Sequence, residues 1–236
     1  MTTAAEIVAE LKPLAKDNYK RILLNHGIQE PVLGVSIENL KKFQKRIKKD
    51  YQLALDLYDT GIYDAMYLAG LIADDTKMTK KDLQRWAENA TSEALCSFTV
   101  AWVAAEGQHG WDLALKWIEA KKPGIAVAGW NTLVCIVALE DDSDLDLPTL
   151  KNLLARVQKT IHDAPNCVRF AMNTFVISLG TYVKPLADLA LKTAEKIGKV
   201  TVDVGNTACK VPYAPDYIRK VQKRGTVGKK RKTVKC

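Results

Sequence analysis

The sequence predicts an all-α protein: antiparallel helix pairs stacked into an α-solenoid. Three observations carry this reading. Apolar residues recur at helical spacing along nearly the whole chain, with Gly, Pro, Ser and Thr as punctuation. The first helices of successive pairs start near residues 37, 62, 92, 123 and 166, an irregular period in the range of helical repeats. The segments 123–139 and 166–179 are apolar on most faces, as a helix sandwiched between neighbouring pairs would be. A globular helix bundle is the alternative.

The elements follow in order. Ile7, Leu11 and Leu14 lead into "NYKRILLNHG", where Gly27 can terminate a helix. Ser36 is a good N-cap for "IENLKKFQKRIKK". "YQLALDLYDTG" and "IYDAMYLAGLIADD" come next, then "KKDLQRWAENA" behind a Thr79 cap. A helix over about 92–106 precedes "GWDLALKWIEAKK", and Pro123 can open the next helix at its first turn. The acidic loop "EDDSDLDLP" leads to "TLKNLLARVQKTIHDA", "NCVRFAMNTFVISLG", "KPLADLALKTAEKIG" and "APDYIRKVQKRG". One stretch breaks the pattern. "VTVDVGNTACKVPYAP" alternates apolar and polar residues and then meets Gly, Asn and two prolines, so an irregular loop is expected over 199–213.

The 236 residues are 47% hydrophobic and 26% charged, ample for one core. "MTTAAEIVAELKP" lacks a basic segment followed by an apolar run, so no signal peptide is expected. "PGIAVAGWNTLVCIVAL" is short for a membrane span and contains Asn131 and Thr132, which favours a buried helix. Five scattered cysteines without a CxxC pair fit reduced thiols in a cytoplasmic, nucleoid-associated protein. The three histidines are too dispersed for zinc, and no cofactor fingerprint or metal site is expected.

The net charge of +8 is unevenly placed. Nine Lys or Arg and no acid follow Asp216, and without them the body is close to neutral. The segment 225–236 therefore reads as a basic, disordered tail behind a single domain over 1–224. A second concentration lies on "IENLKKFQKRIKK". Ile37, Leu40, Phe43 and Ile47 form one apolar stripe, leaving Lys41, Lys42, Lys45, Arg46, Lys48 and Lys49 on the remaining surface. Six such charges repel one another unless an anion is near, and a phosphate backbone is a natural partner. A solvated helix face is the plain alternative.

Arg169 and Asn173 share one helix face among apolar neighbours and must find partners. The 199–213 loop can supply them: Asp203 for Arg169, and Asn206, Thr207 or the backbone near Gly205 for Asn173. The loop is then a structural plug. The alternative is a ligand or nucleotide site built from His162, Arg169, Asn173, Asp203, Asn206 and Cys209.

The helix-pair organisation resembles the DNA alkylation repair family, the AlkD-like HEAT-repeat DNA glycosylases, in a divergent branch. The resemblance rests on "HGIQEPVLGVSIENLKKFQKRIKK", "LALDLYDTGIYDAMYLAGLIAD", "AGWNTLVCIVAL" and "NCVRFAMNTFVISLG…EKIGKVTVDVGNTACKVPYAPDYI", which cover most of 20–220. It implies a right-handed solenoid of HEAT-like pairs whose concave, basic face holds DNA, whether duplex, damaged or branched, bound by a monomer. Family glycosylases use an aromatic residue, a carboxylate one helical turn later, and an arginine on the following repeat. The carboxylate stabilises the oxocarbenium-like sugar and the arginine holds a phosphate. Here the arginine position falls on Val127, and the other two fall near Glu93 and Ser97. A second alignment, on "GWDLALKW", puts the aromatic on Trp111 but Leu115 where the acid should be. Trp102 followed by Glu106 is the one Trp–acid pair at that spacing. Retained DNA binding with weak or missing base excision is therefore expected. An active 3-methyladenine or 7-methylguanine glycosylase using Trp102 and Glu106 is one alternative, and a protein–protein adaptor is another.

Overall fold

The computed structural model describes residues 2–235. Among these residues there are helices, short 3₁₀ turns and loops, and no strand. The helices are α1 (Ala4–Leu11), α2 (Asp17–Asn25), α3 (Ile37–Ile47), α4 (Tyr51–Asp59), α5 (Tyr63–Ile72), α6 (Lys80–Asn89), α7 (Glu93–Leu95), α8 (Ala101–Ala105), α9 (Gly110–Trp117), α10 (Pro123–Leu139), α11 (Leu147–Thr160), α12 (Asn166–Tyr182), α13 (Ala187–Ile197) and α14 (Ala214–Lys223). A π-helical turn, Cys96–Val100, joins α7 and α8 into one rod.

The caps anticipated from sequence form. The Ser36 side chain accepts from Asn39 N–H, Thr79 and Asp82 make a reciprocal capping box, and Pro123 opens α10. Gly27 follows α2 at φ +78°, a conformation that favours glycine.

Two rows result. The first, α3, α5, α7–α8, α10, α12 and α14, packs helix against helix through apolar side chains. The second holds α4, α6, α9, α11 and α13 and is bridged by long polar pairs: Arg85 to Asp59, Lys80 to Asp112, Lys116 to Gln84, and Arg156 to Glu119. Close apolar contact marks the first row, and long side-chain bridges mark the second. The first is called the inner row.

Glycine permits the closest approaches. A Cβ on Gly129 of α10 would stand 2.7 Å from Ile118 N and 2.9 Å from Ala114 O, both beside α9. Trp86, Trp117 and Trp130 lie fully buried between the rows. The helices of the inner row run parallel, as α3 and α5 illustrate. At the starts, the Asp64 carboxylate, itself wholly buried, accepts from the N–H groups of Leu33, Gly34 and Val35. At the ends, Gln44 Nε2 donates to Leu71 O and Asp50 N–H to Ile72 O. All inner-row carboxyl ends therefore share one edge.

That edge corrects the expectation of a disordered tail. Residues 226–235 lie along it, with Val234 buried. No single helix among the described residues is long and apolar enough to cross a membrane.

Candidate functional site

The inner face is a groove flanked by two segments without helix, one at each edge. The 199–213 loop sits at the amino-terminal edge, on the face of α12. Arg169 donates to Thr201 O at 2.8 Å and to Ala164 O at 3.0 Å, and the buried Asn173 donates to Pro212 O at 2.9 Å. Asn166 exchanges two hydrogen bonds with the Asp203 backbone, at 2.7 and 2.8 Å. The loop limbs form no ladder. A hollow of about 690 Å³ is lined by Val200, Val202 and Val204 from one limb and Cys209, Val211 and Tyr213 from the other. Loop carbonyls thus lack strand partners, and α12 side chains satisfy them.

This settles where each residue of the expected polar site goes. The loop covers the Arg169/Asn173 face, but through its backbone; the Asp203 carboxylate instead accepts from Gly205 N–H, at 2.9 Å. Thr207 caps Val204 O, and Asn206 is exposed. His162 Nε2 meets Ile197 O at 3.0 Å, at the end of α13. His162, Arg169 and Asn173 are therefore committed to carbonyls of the fold and do not converge on a ligand. Asp203 and Cys209 do face the groove, where Cys209 Sγ lies 3.9 Å from His26 Nδ1 beyond α2.

The loop and the end of α2 cover a cavity of about 370 Å³ lined by Glu93, Ser97, Val127, Asn131, Cys167 and Phe170, among others. Glu93, Ser97 and Val127 are the positions to which the resemblance assigned a catalytic triad, so that alignment places them on one surface. Its chemistry is different, because no cation from the inner row enters. Burial and a hydrogen bond to Glu93 push the Cys167 thiol up to about 11. No group of three or more His, Cys, Asp or Glu among the described residues could hold a metal ion.

The tail lies at the opposite edge and crosses the inner helices in reverse order. Gly228 N–H donates to Thr181 O of α12, Arg231 N–H to Ala138 O of α10, and Lys230 Nζ to Val137 O with Asp142 beside it. Glu106, after α8, accepts from Thr233 Oγ1 at 2.5 Å and Val234 N–H at 2.9 Å. Lys235 Nζ reaches Ala73 O after α5 and the buried Asp75 at 2.6 Å. Helix carboxyl ends carry unpaired carbonyls and partial negative charge, so a strand of donors and cations fits them.

Trp102 and Glu106 are both engaged by the fold. Trp102 is buried, edge-on to Tyr67 and beside Phe98, while Glu106 is held by the tail. The 41–49 cluster also divides. Arg46 pairs with both Glu10 oxygens toward α1, and Lys42 stays near Asn39 and Glu38. Lys41, Lys45 and Lys48 make no ion pair among the described residues. Lys49 bonds Asp75 at 3.1 Å, the same carboxylate that Lys235 uses. Burial works against the Lys49 charge, but the Asp75 bond and nearby carboxylates outweigh it and raise its pKa. Tail and α3 thus meet at Asp75. Sequence reasoning missed this because the tail's counter-charges, Asp75, Glu106 and Asp142, follow three different helices far away in sequence.

Comparisons with known proteins agree with this geometry. A family model described as DNA alkylation repair enzyme matches residues 7–218. An uncharacterized protein of Listeria innocua is 31% identical over 95% of this chain and 99% of its own length. An uncharacterized protein of Listeria monocytogenes is 32% identical over the same shares. A solved structure, 34% identical with full coverage of both chains and a TM-score of 0.92, is described as a new family of proteins related to the HEAT-like repeat DNA glycosylases with affinity for branched DNA structures.

Proposed function

Because the chain belongs to the DNA alkylation repair enzyme family, we propose that it binds DNA, with a preference for branched forms, and excises bases weakly or not at all. One observation carries the binding half: cations at one edge of the inner row, Lys229, Arg231 and Lys232 on the tail and Lys45 and Lys48 on α3, are exposed and make no ion pair among the described residues. A row edged with positive charge suits a sugar–phosphate strand, and the gain comes from released counterions. The likeness to a structure described as having affinity for branched DNA supports the choice of substrate.

The excision half rests on what the groove lacks. Val127 cannot hold a phosphate as an arginine would, and Glu106 is engaged by two donors. Losing such groups costs several orders of magnitude in rate, about 10²–10³ for a single stabilising donor. One chain acts alone, with one protein per branch point.

The test pairs two assays on one preparation. Affinity for a four-way junction and for a linear duplex is measured across a salt series, and release of 7-methylguanine or 3-methyladenine from alkylated DNA is followed. The expected result is tighter junction binding, steep salt dependence and negligible base release. Replacing Lys41, Lys45 and Lys48 by Gln flattens the slope of log affinity against log salt by about 0.9 for each phosphate no longer neutralised. Salt-independent binding, or rapid base release, would overturn the proposal.

A further inference from the structure

The groove has a second hollow, nearer the tail, that the binding proposal does not use. Its volume is about 280 Å³, and Phe98, Trp102, Asn131, Ser178, Tyr182 and Arg231 are among its walls. We propose that this hollow receives one unpaired nucleotide of a bound DNA, with its base against Phe98 and its phosphate near Arg231. The proposal rests on the DNA-binding reading above.

Four features point to such a ligand. The first is Phe98, which is 45% exposed although it sits on the inner row. The π-helical turn Cys96–Val100 adds a residue to the helical repeat there, and π turns recur at functional sites. Trp102 backs the ring at 5.4 Å and is itself held edge-on by Tyr67 at 5.5 Å. An exposed ring on a rigid aromatic support is a stacking platform.

The second is Ser178. It is 95% buried (5% exposed), lines the hollow, and its hydroxyl has no hydrogen-bond partner among the described residues. The hydroxyl is therefore free to bond a polar group that enters the hollow. The third is Asn131. Its amide nitrogen is spent on Val127 O at 3.0 Å, and its oxygen accepts no bond among the described residues. A donor–acceptor hydroxyl and an acceptor amide oxygen match the edge of a nucleobase.

The fourth is Arg231, whose backbone is pinned to Ala138 O at 2.8 Å while its side chain makes no ion pair among the described residues. The neighbours Lys230 and Val234 are each tied down, so the guanidinium is delivered to a fixed place. It is the cation on this surface that the Val127 position does not supply. Branched DNA exposes unstacked bases at its branch point, which joins this site to the proposed substrate.

The experiment compares the full chain binding two duplexes at one fixed salt, identical except that one carries a single unpaired adenine nucleotide. The unpaired form is expected to bind about tenfold tighter, in the range of one stacked base. Phe98→Leu should remove that preference while leaving affinity for the paired duplex within about twofold, and Phe98→Trp should keep it. Ser178→Val, which narrows the hollow without touching the ring, should also remove it. Equal binding of the two duplexes by the native chain overturns the nucleotide site and leaves the DNA reading standing. Retention of the full preference in both Phe98→Leu and Ser178→Val overturns the assignment of this hollow. Binding of neither duplex overturns the reading on which the site rests.

Discussion

The two segments that flank the groove are held in opposite ways. The 199–213 loop offers carbonyls, and the side chains of Asn166, Arg169 and Asn173 donate to them. The 226–235 tail offers N–H groups and ammonium groups, and the helix ends with Glu106, Asp142 and Asp75 accept them. The difference follows from which end of the parallel inner helices each segment meets. A carboxyl-end edge presents free carbonyls and the negative end of each helix dipole, so a segment laid there must be basic. An amino-end edge presents no such acceptors, and the loop there is uncharged along most of its length. The tail also keeps cations to spare at Lys229, Arg231 and Lys232, whereas the loop carries two exposed lysines, Lys199 and Lys210, one at each of its limbs. The loop is therefore chiefly structural, and the tail is both structural and electrostatic.

Removing 226–236 should have the largest effect and should fall on DNA. Affinity for a junction is expected to drop roughly a hundredfold at moderate salt, with a flatter salt dependence. Thermal stability should change little, because the tail's hydrogen bonds, about 1 kcal/mol each, are offset by the entropy of ordering it. A junction affinity within twofold of the full chain would mean that the tail is a strap and nothing more.

Asn173→Ala should do the reverse. It leaves the Pro212 carbonyl without its donor and is expected to cost about 2 kcal/mol in denaturant unfolding. Junction affinity of the folded protein should be unchanged. A loss of affinity without loss of stability would reassign the loop to the ligand.

Glu106→Ala should loosen the end of the tail alone. Trypsin cleavage at Lys232 and Lys235 is expected to accelerate about fivefold, the equivalent of about 1 kcal/mol of local opening. Global stability should hold, because Glu106 lies at the surface edge of α8.

Thiol labelling gives the smallest and most local contrast. Burial raises Cys96 and Cys135 to about 12. A raised thiol pKa means a protonated, unreactive sulfur at all pH values below it. At pH 8, among the cysteines of the described residues, the exposed Cys209 of the loop should react first, and Cys96 and Cys135 should react only on unfolding. Cys135 lines the tail-side hollow, so its labelling should rise when 226–236 is removed and stay unchanged in Asn173→Ala.

The same contrast explains what the sequence made legible. Inner-row helices were readable because their apolar faces leave few alternatives, and Ser36 and Pro123 mark the starts of α3 and α10 chemically, as Thr79 marks that of α6 in the second row. The pairing of the loop with Arg169 and Asn173 was readable too, since a guanidinium and a carboxamide among Val168, Met172 and Phe175 need partners. Which atoms would serve was not. Side-chain chemistry suggested Asp203 and Asn206, whereas an unladdered loop has spare carbonyls closer at hand. The tail was misread because a run of Lys and Arg without local acid looks self-repelling. Its counter-charges sit at Asp75, Glu106 and Asp142, far away in sequence. The partners of Glu106 were hidden for the same reason, since spacing along one helix says nothing about what docks on its end.

Hydrogen–deuterium exchange of the full chain, free and bound to a four-way junction, tests the central claim most directly. The inner-row helices, 41–49 and 226–235 should gain protection, while α9, α11 and α13 exchange as in the free protein. Protection confined to that second row, with the tail and inner row unchanged, would contradict it.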